Sequence, residues 1–209
     1  MAKFSPPVKV KVCGTTRLKD ALLAVDCGAD AIGFIFYRKS PRAVAARTAK
    51  EICSKLPPFV NRVGVFVNET AEKINRIVAQ CGLDAVQLHG DESPAFCRKI
   101  KCRVIKVVRV KDAASLKELS RYAVDAFLLD TYEKDQWGGT GKVFDWELAG
   151  RAKKYGPVII AGGLNSRNVK AAIKKVRPYG VDVSSGVEES PGIKDPKKVK
   201  SFLKAVREG

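Results

Sequence analysis

The feature that most restricts this chain is an alternation. Eight runs with β character, at 8–13, 30–36, 60–67, 83–89, 103–110, 124–130, 156–161 and 180–185, each give way to a stretch with helical spacing of apolar residues. Leu18, Ala21, Leu22 and Val25 fall at i, i+3, i+4 and i+7, which puts them on one helix face, with Thr16 as cap and Gly28 as stop. The spacing recurs in Ile74, Ile77, Val78 and Cys81 after Thr70, in Val169, Ala172, Ile173 and Val176 after Asn165, and in Val199, Phe202, Leu203 and Val206 after Asp195 and Pro196. Weaker helical patterns lie near 43–55, 93–100, 113–120 and 144–153.

Eight strand–helix units in 209 residues predict an α/β fold, a single-domain (βα)8 TIM barrel over 1–209, near the lower end of that fold's size range. A doubly wound open sheet is the alternative. It does not require this count, and the G-x-G-x-x-G expected after its first strand is absent. No linker divides the chain; the longest irregular connection, 131–144, follows the sixth strand.

No stretch approaches the roughly 18 consecutive apolar residues of a membrane helix. The opening MAKFSPPVKV lacks the apolar centre of a signal peptide, so the chain is read as soluble, unexported and cytoplasmic, with no membrane partner. Six cysteines without a CxxC, mostly in apolar segments, read as reduced thiols. The formal charge of +17 raises nucleic acid as a partner. The basic residues are spread over every helical segment instead of forming a tail or a stacking module, so no nucleic acid is expected, although the field would steer small anions inward. One histidine and no paired ligands at helical spacing leave no metal site, and no nucleotide or flavin fingerprint is present. Cofactor-free chemistry is expected.

In a barrel of this kind the site lies at the C-terminal strand ends. Side-chain alternation puts Val8, Val10 and Val12 toward the helices and Lys9, Lys11 and Cys13 toward the axis. By the same parity Gln87 and His89, Leu128 and Asp130, and Asp182 and Ser184 point inward. Each has an ordinary reading alone: a strand cysteine is commonly a small core residue, a lone histidine structural, a strand-end aspartate a helix cap. Their convergence points further, because a thiol and a carboxylate on strands one and six face each other across the mouth, as acid–base chemistry needs. Lys11, one rung below Cys13, is placed either to favour a thiolate or to pair with an interior carboxylate such as Asp182.

Barrels often bind phosphate on the loops after strands seven and eight, beside a short extra helix. Here those loops are AGGLN and SSGVE. Gly162 and Gly163 allow close backbone approach, and Ser184, Ser185 and Gly186 offer unhindered amides with two hydroxyls. The pair reads as a cup for a phosphorylated small molecule.

The motifs KVCGTT, SPR at 40–42, RVGVFVN, VQLHGDE, LLDT with GGTGKVFDW, AGGLN with NV, and PYGVDVSSGVE with PGIKD together resemble the phosphoribosylanthranilate isomerases of tryptophan biosynthesis, from about residue 8 to residue 206. The resemblance implies an Amadori rearrangement of N-(5-phosphoribosyl)anthranilate to 1-(2-carboxyphenylamino)-1-deoxyribulose 5-phosphate. It makes Cys13 the general base, Asp130 the general acid, and Arg42 the partner of the anthranilate carboxylate. Both catalytic groups then need shifted pKa values, since a free thiol is mostly protonated and a free aspartate ionised at neutral pH. Thr15 departs from the pattern, standing where similar proteins usually carry an aliphatic residue. Family members include monomers and homodimers, and either is expected here. Three rivals remain at this point: a histidine-pathway aminoaldose isomerase, whose pattern uses aspartates for both acid and base, a non-catalytic phosphosugar-binding barrel, and a nucleic-acid binder.

Overall fold

The computed structural model describes residues 7–110, 116–131 and 146–209. Eight strands, β1 (Lys9–Val12), β2 (Ala31–Ile35), β3 (Asn61–Phe66), β4 (Ala85–Leu88), β5 (Arg103–Val110), β6 (Ala126–Thr131), β7 (Val158–Ile160) and β8 (Gly180–Val183), close in sequence order. Every neighbouring pair is parallel, with β8 returning to β1. The helices are α1 (Leu18–Asp26), α2 (Ala46–Cys53), α3 (Ala71–Cys81), α4 (Pro94–Cys97), α5 (Trp146–Ala152), α6 (Val169–Val176) and α7 (Pro196–Arg207). A 3-10 turn at Lys117–Arg121 carries buried Leu119 in the crossover after β5. The chain is a TIM barrel. Part of the weak pattern at 113–120, and all but Thr131 of the connection 131–144, lie outside the described residues.

The two-residue period of each strand divides the core. Val10, Val12, Val86, Leu88, Phe127, Leu129, Val181 and Val183 pack outward against the helices. Val63, Ala85, Ile105, Val107, Ala126, Leu128, Ile159 and Ala161 fill the interior. Burial on both faces explains why the strands read as nearly continuous apolar runs, and the expected orientation of β1, β4, β6 and β8 is the one found. The β1–β8 register sets Lys11 opposite Asp182. An exposed Phe59 and half-exposed Tyr179 border a separate cavity at the strand-start end.

Local chemistry explains the helix ends, with two departures. The Thr70 hydroxyl accepts from Lys73 N at the start of α3, and Asp195 accepts from Lys197 N and Lys198 N at the start of α7, where Pro196 takes the first position. Thr16 does not cap α1. Its hydroxyl donates to Gly192 O at 2.6 Å, and the cap position falls to Arg17, without a side-chain cap. Asn165 opens a turn, accepting from Arg167 N, so α6 begins only after Asn168. The stretch after β8 is also more ordered than a loop: a 3-10 turn at Ser185–Val187 leads into a hairpin of β9 (Glu188–Ser190) and β10 (Ile193–Lys194). All six cysteines are free thiols. Among the described residues no helix is long and apolar enough to cross a membrane, and no cluster of three ligating side chains could hold a metal.

Candidate active site

One pocket opens at the C-terminal strand ends. It is lined by Cys13, Arg42, Gln87, His89, Asp130, Gly162, Gly163, Asp182, Ser184 and Ser185, with apolar walls from Ile35, Val65 and Val67. The expected site residues thus meet in one place, except Gly186, which stands behind the wall. A β-carbon there would lie 1.9 Å from Leu164 O, so only glycine lets the loop after β8 pack on the loop after β7. Gly162 and Gly163 have φ of 82° and 64°, left-handed conformations that glycine adopts without strain. Asn168 braces this turn, its Nδ2 donating to Gly163 O at 2.9 Å.

Cys13 lies just past β1, held by its N–H to Val183 O at 2.8 Å. Gly33 on β2 makes room for it, because a β-carbon there would sit 2.8 Å from Cys13 Sγ and 3.0 Å from Lys11 Cε. The Lys11 ammonium meets Asp182 Oδ1 at 2.9 Å. Burial pushes the Cys13 thiol up, Lys11 pulls it down, and Asp182 raises it again, leaving a net rise. The shift runs opposite to what a base requires, because desolvation of a sulfur anion outweighs one paired ammonium. For Lys11 itself burial acts downward, but Asp182 and Cys13 hold its pKa above the ordinary value.

Asp130, at the end of β6, is buried, with its Oδ2 3.5 Å from His89 Nε2. That separation is longer than a hydrogen bond. His89 Nδ1 in turn lies 3.2 Å from Gln87 Nε2. Gln87 Oε1, His89 Nε2 and Ser184 Oγ are buried without a hydrogen bond among the described residues. Such groups are costly unless something arrives to satisfy them.

Several supporting residues escaped the sequence reading. Arg42 is clamped by Glu188, through Nε to Oε1 at 2.9 Å and Nη2 to Oε2 at 2.7 Å. Burial would raise the Glu188 carboxyl, yet Arg42 and Lys194 hold it below the usual carboxylate range. Lys106 secures the loop that follows β4, donating to Gly90 O at 2.7 Å and Glu92 Oε2 at 2.9 Å. The available signal was Lys106 inside the apolar run VIKVV, the same signal that singled out Lys11 in VKVKV, since a lysine buried within a strand requires a partner.

The family model for N-(5'-phosphoribosyl)anthranilate (PRA) isomerase matches residues 10–205. The chain belongs to the N-(5'-phosphoribosyl)anthranilate isomerase family. It is accordingly an isomerase of tryptophan biosynthesis. It is 52% identical over 201 residues to the N-(5'-phosphoribosyl)anthranilate isomerase of Pelobacter propionicus, covering 96% of each chain. Among solved structures, it matches a phosphoribosyl anthranilate isomerase in complex with reduced 1-(o-carboxyphenylamino)-1-deoxyribulose 5-phosphate with a TM-score of 0.86 and 44% identity, over 97% of this chain and 100% of that one. It also matches monomers generated from the dimeric phosphoribosylanthranilate isomerase of Thermotoga maritima, with a TM-score of 0.87 and 43% identity, over 97% and 100% of the two chains.

Proposed function

We propose that Cys13 and Asp130 carry the rearrangement as base and acid. The observation that supports this most directly is their shared pocket beside Gly162, Gly163, Ser184 and Ser185. Protonated Asp130 donates to the ribose ring oxygen, the C1–O bond breaks, and the nitrogen lone pair forms a cationic Schiff base. Cys13 as thiolate then removes the C2 proton, the C–H electrons forming a C1–C2 double bond as the iminium is neutralised. The enolamine tautomerises to the ketone. The cationic Schiff base helps resolve the raised thiol pKa, because it brings positive charge into a low-dielectric pocket next to the sulfur. Only protons pass between protein and substrate, and the bonds that break and form lie within the substrate, so these steps call for no cofactor.

The phosphate sits on the two glycine- and serine-containing loops, where Ser184 Oγ awaits a partner. Arg42 gives its Nε and Nη2 edge to Glu188 and offers Nη1 to the anthranilate carboxylate. Gln87 and His89 supply buried polar atoms for the ribose hydroxyls, and Asp182 shapes the floor through Lys11. Six free thiols suit a cytoplasmic location. Like the dimeric Thermotoga maritima relative, the protein associates with a second copy, a reading supported by Phe59 at 95% exposure and checked by sedimentation.

The deciding experiment follows loss of substrate fluorescence on adding protein to freshly generated phosphoribosylanthranilate. Cys13→Ala and Asp130→Asn should each reduce kcat by about 10²-fold to 10⁴-fold, the usual contribution of one acid or base. Turnover near wild type in either variant removes that residue from its role.

A further inference from the structure

Lys194 is remote from Cys13 in sequence and adjacent to it in space. It sits on β10, its side chain 0% exposed. Its Nζ donates to Cys13 O at 2.6 Å, to Glu188 Oε1 at 2.9 Å and to Ser184 O at 3.4 Å. These acceptors match the three N–H bonds of an ammonium, Ser184 O being the loosest, and although burial pulls Lys194 below the ordinary lysine value, Glu188 works in the other direction. Glu188 then passes the contact to Arg42. One buried cation therefore touches the backbone of the sulfur-bearing residue, the start of the loop after β8, and, through one carboxylate, the arginine in the pocket wall.

The location of the Cys13 carbonyl explains why this matters. The peptide that follows leads into Gly14 at φ 72°, so the chain turns away from the sheet and the carbonyl cannot continue the ladder. Without a donor it would be a buried unsatisfied acceptor, free to relieve itself by rotating the Cys13–Gly14 peptide, and that rotation would disturb the Gly14 turn, which packs so closely on Arg42 and Ser184 that a β-carbon there would lie 2.6 Å from Arg42 Cδ and 3.0 Å from Ser184 Oγ. Stability alone is a weak reason for a buried ion pair, which apolar residues of similar volume often replace at no loss. A fixed turn between Cys13, Arg42 and Ser184 is a better one.

We propose that Lys194 is a positioning residue for the isomerisation, holding Cys13, the Ser184 loop and Arg42 in mutual register from outside the eight-stranded barrel. The inference rests on the reading of Cys13 as base. Besides orienting it, the ammonium favours the thiolate, together with Lys11 from β1 and Arg42 from the loop after β2, against Asp182 from β8 and Glu188 from β9, while Asp130 on β6 and His89 after β4 face it across the pocket.

The test compares wild type, Lys194→Met and Cys13→Ala. Steady-state rates are taken across pH, and alkylation of the Cys13-containing peptide is followed by mass spectrometry over the same range. Lys194→Met should lower kcat by roughly tenfold to 10²-fold, as a displacement near 1 Å does, with a smaller change in KM. The Cys13 alkylation midpoint should rise by about half a pH unit or more, as loss of a nearby buried cation requires. A merely structural lysine would leave that midpoint in place. A folded Lys194→Met with kcat within about twofold of wild type, a change of under 0.5 kcal/mol, and an unmoved midpoint overturns the proposal. If leaving Glu188 uncompensated prevents folding, the double variant E188Q/K194M removes both charges and is judged by the same midpoint. Cys13→Ala separates the two ideas: activity in that variant defeats the base assignment, whereas an inactive Cys13→Ala beside an unaffected Lys194→Met defeats only the role of Lys194.

Discussion

Single residues in this barrel mouth are set by what they touch, and Thr15 shows the principle in its simplest form. It follows the Cys13–Gly14 turn, its N–H donating to Gly33 O at 3.0 Å. Its side chain is 0% exposed, and its hydroxyl has no hydrogen bond among the described residues. Burying an unpaired hydroxyl costs about 1–3 kcal/mol. The departure from an aliphatic residue noticed in the sequence is therefore a local weakness. Thr15→Val keeps the branched shape and deletes the orphan oxygen. It should raise the melting temperature by roughly 2–4 °C for each kcal/mol recovered in a chain of this size, as scanning calorimetry would show. An unchanged or lower value would mean that the hydroxyl is satisfied, for instance by a buried water.

Elements carry the next level of organisation, and the two loops after β7 and β8 act as one. Leu164 O presses on Gly186, and Asn168 holds Gly163 from behind. Gly186→Ala would force a β-carbon to 1.9 Å from that carbonyl, so the loops must separate. We expect KM to rise about tenfold, equivalent to about 1.4 kcal/mol of lost binding, with inorganic phosphate weakened as a competitive inhibitor by a similar factor. Unaltered phosphate inhibition would show that the loops do not form the phosphate site. How much of this was legible follows from the range of each interaction. Strands and inward parity depend on a two-residue period, and the caps at Thr70 and Asp195 on contacts within three residues; such signals are local. Cys13, Asp130 and the glycine loops could be assembled because the barrel converts strand ends into neighbours. Lys194, Glu188 and the space left by Gly33 were not legible, since their meaning lies in contacts with β1 and Arg42 that no local pattern encodes. Thr16 misled for a related reason: a distant carbonyl at Gly192 took the hydroxyl that a local rule assigned to α1.

At the scale of the whole molecule, the cysteines tie stability to pH. Four thiols, Cys13, Cys53, Cys81 and Cys97, are buried in separate parts of the barrel. Burial pushes each of them up, Cys53 to about 12, and does the same to half-buried Cys102, to about 11, which makes five raised thiols. The unfolded chain would release these protons near an ordinary thiol pKa of about 8.5. The folded thiol pKa values are raised, so their stabilising contribution is fully present below that value and is lost as pH climbs toward the folded values. Between about pH 9 and pH 10 the unfolded state binds fewer protons than the native one, and stability falls with a limiting slope of about 1.4 kcal/mol per pH unit for each thiol. The paired carboxylates do not offset this, because Glu188, Asp84 and Asp30 are held low and their contribution, lost only as pH falls through the acid range, is already complete at neutrality. Calorimetric melting should therefore show a plateau from about pH 6 to pH 8 and a decline above it that steepens toward pH 10, before lysine titration intervenes. Replacing Cys53 and Cys97 by alanine removes two of these five proton sinks and should cut the slope by roughly two fifths, even though the variant starts less stable because of its cavities. A decline equally steep in that variant would place the alkaline weakness outside the thiols.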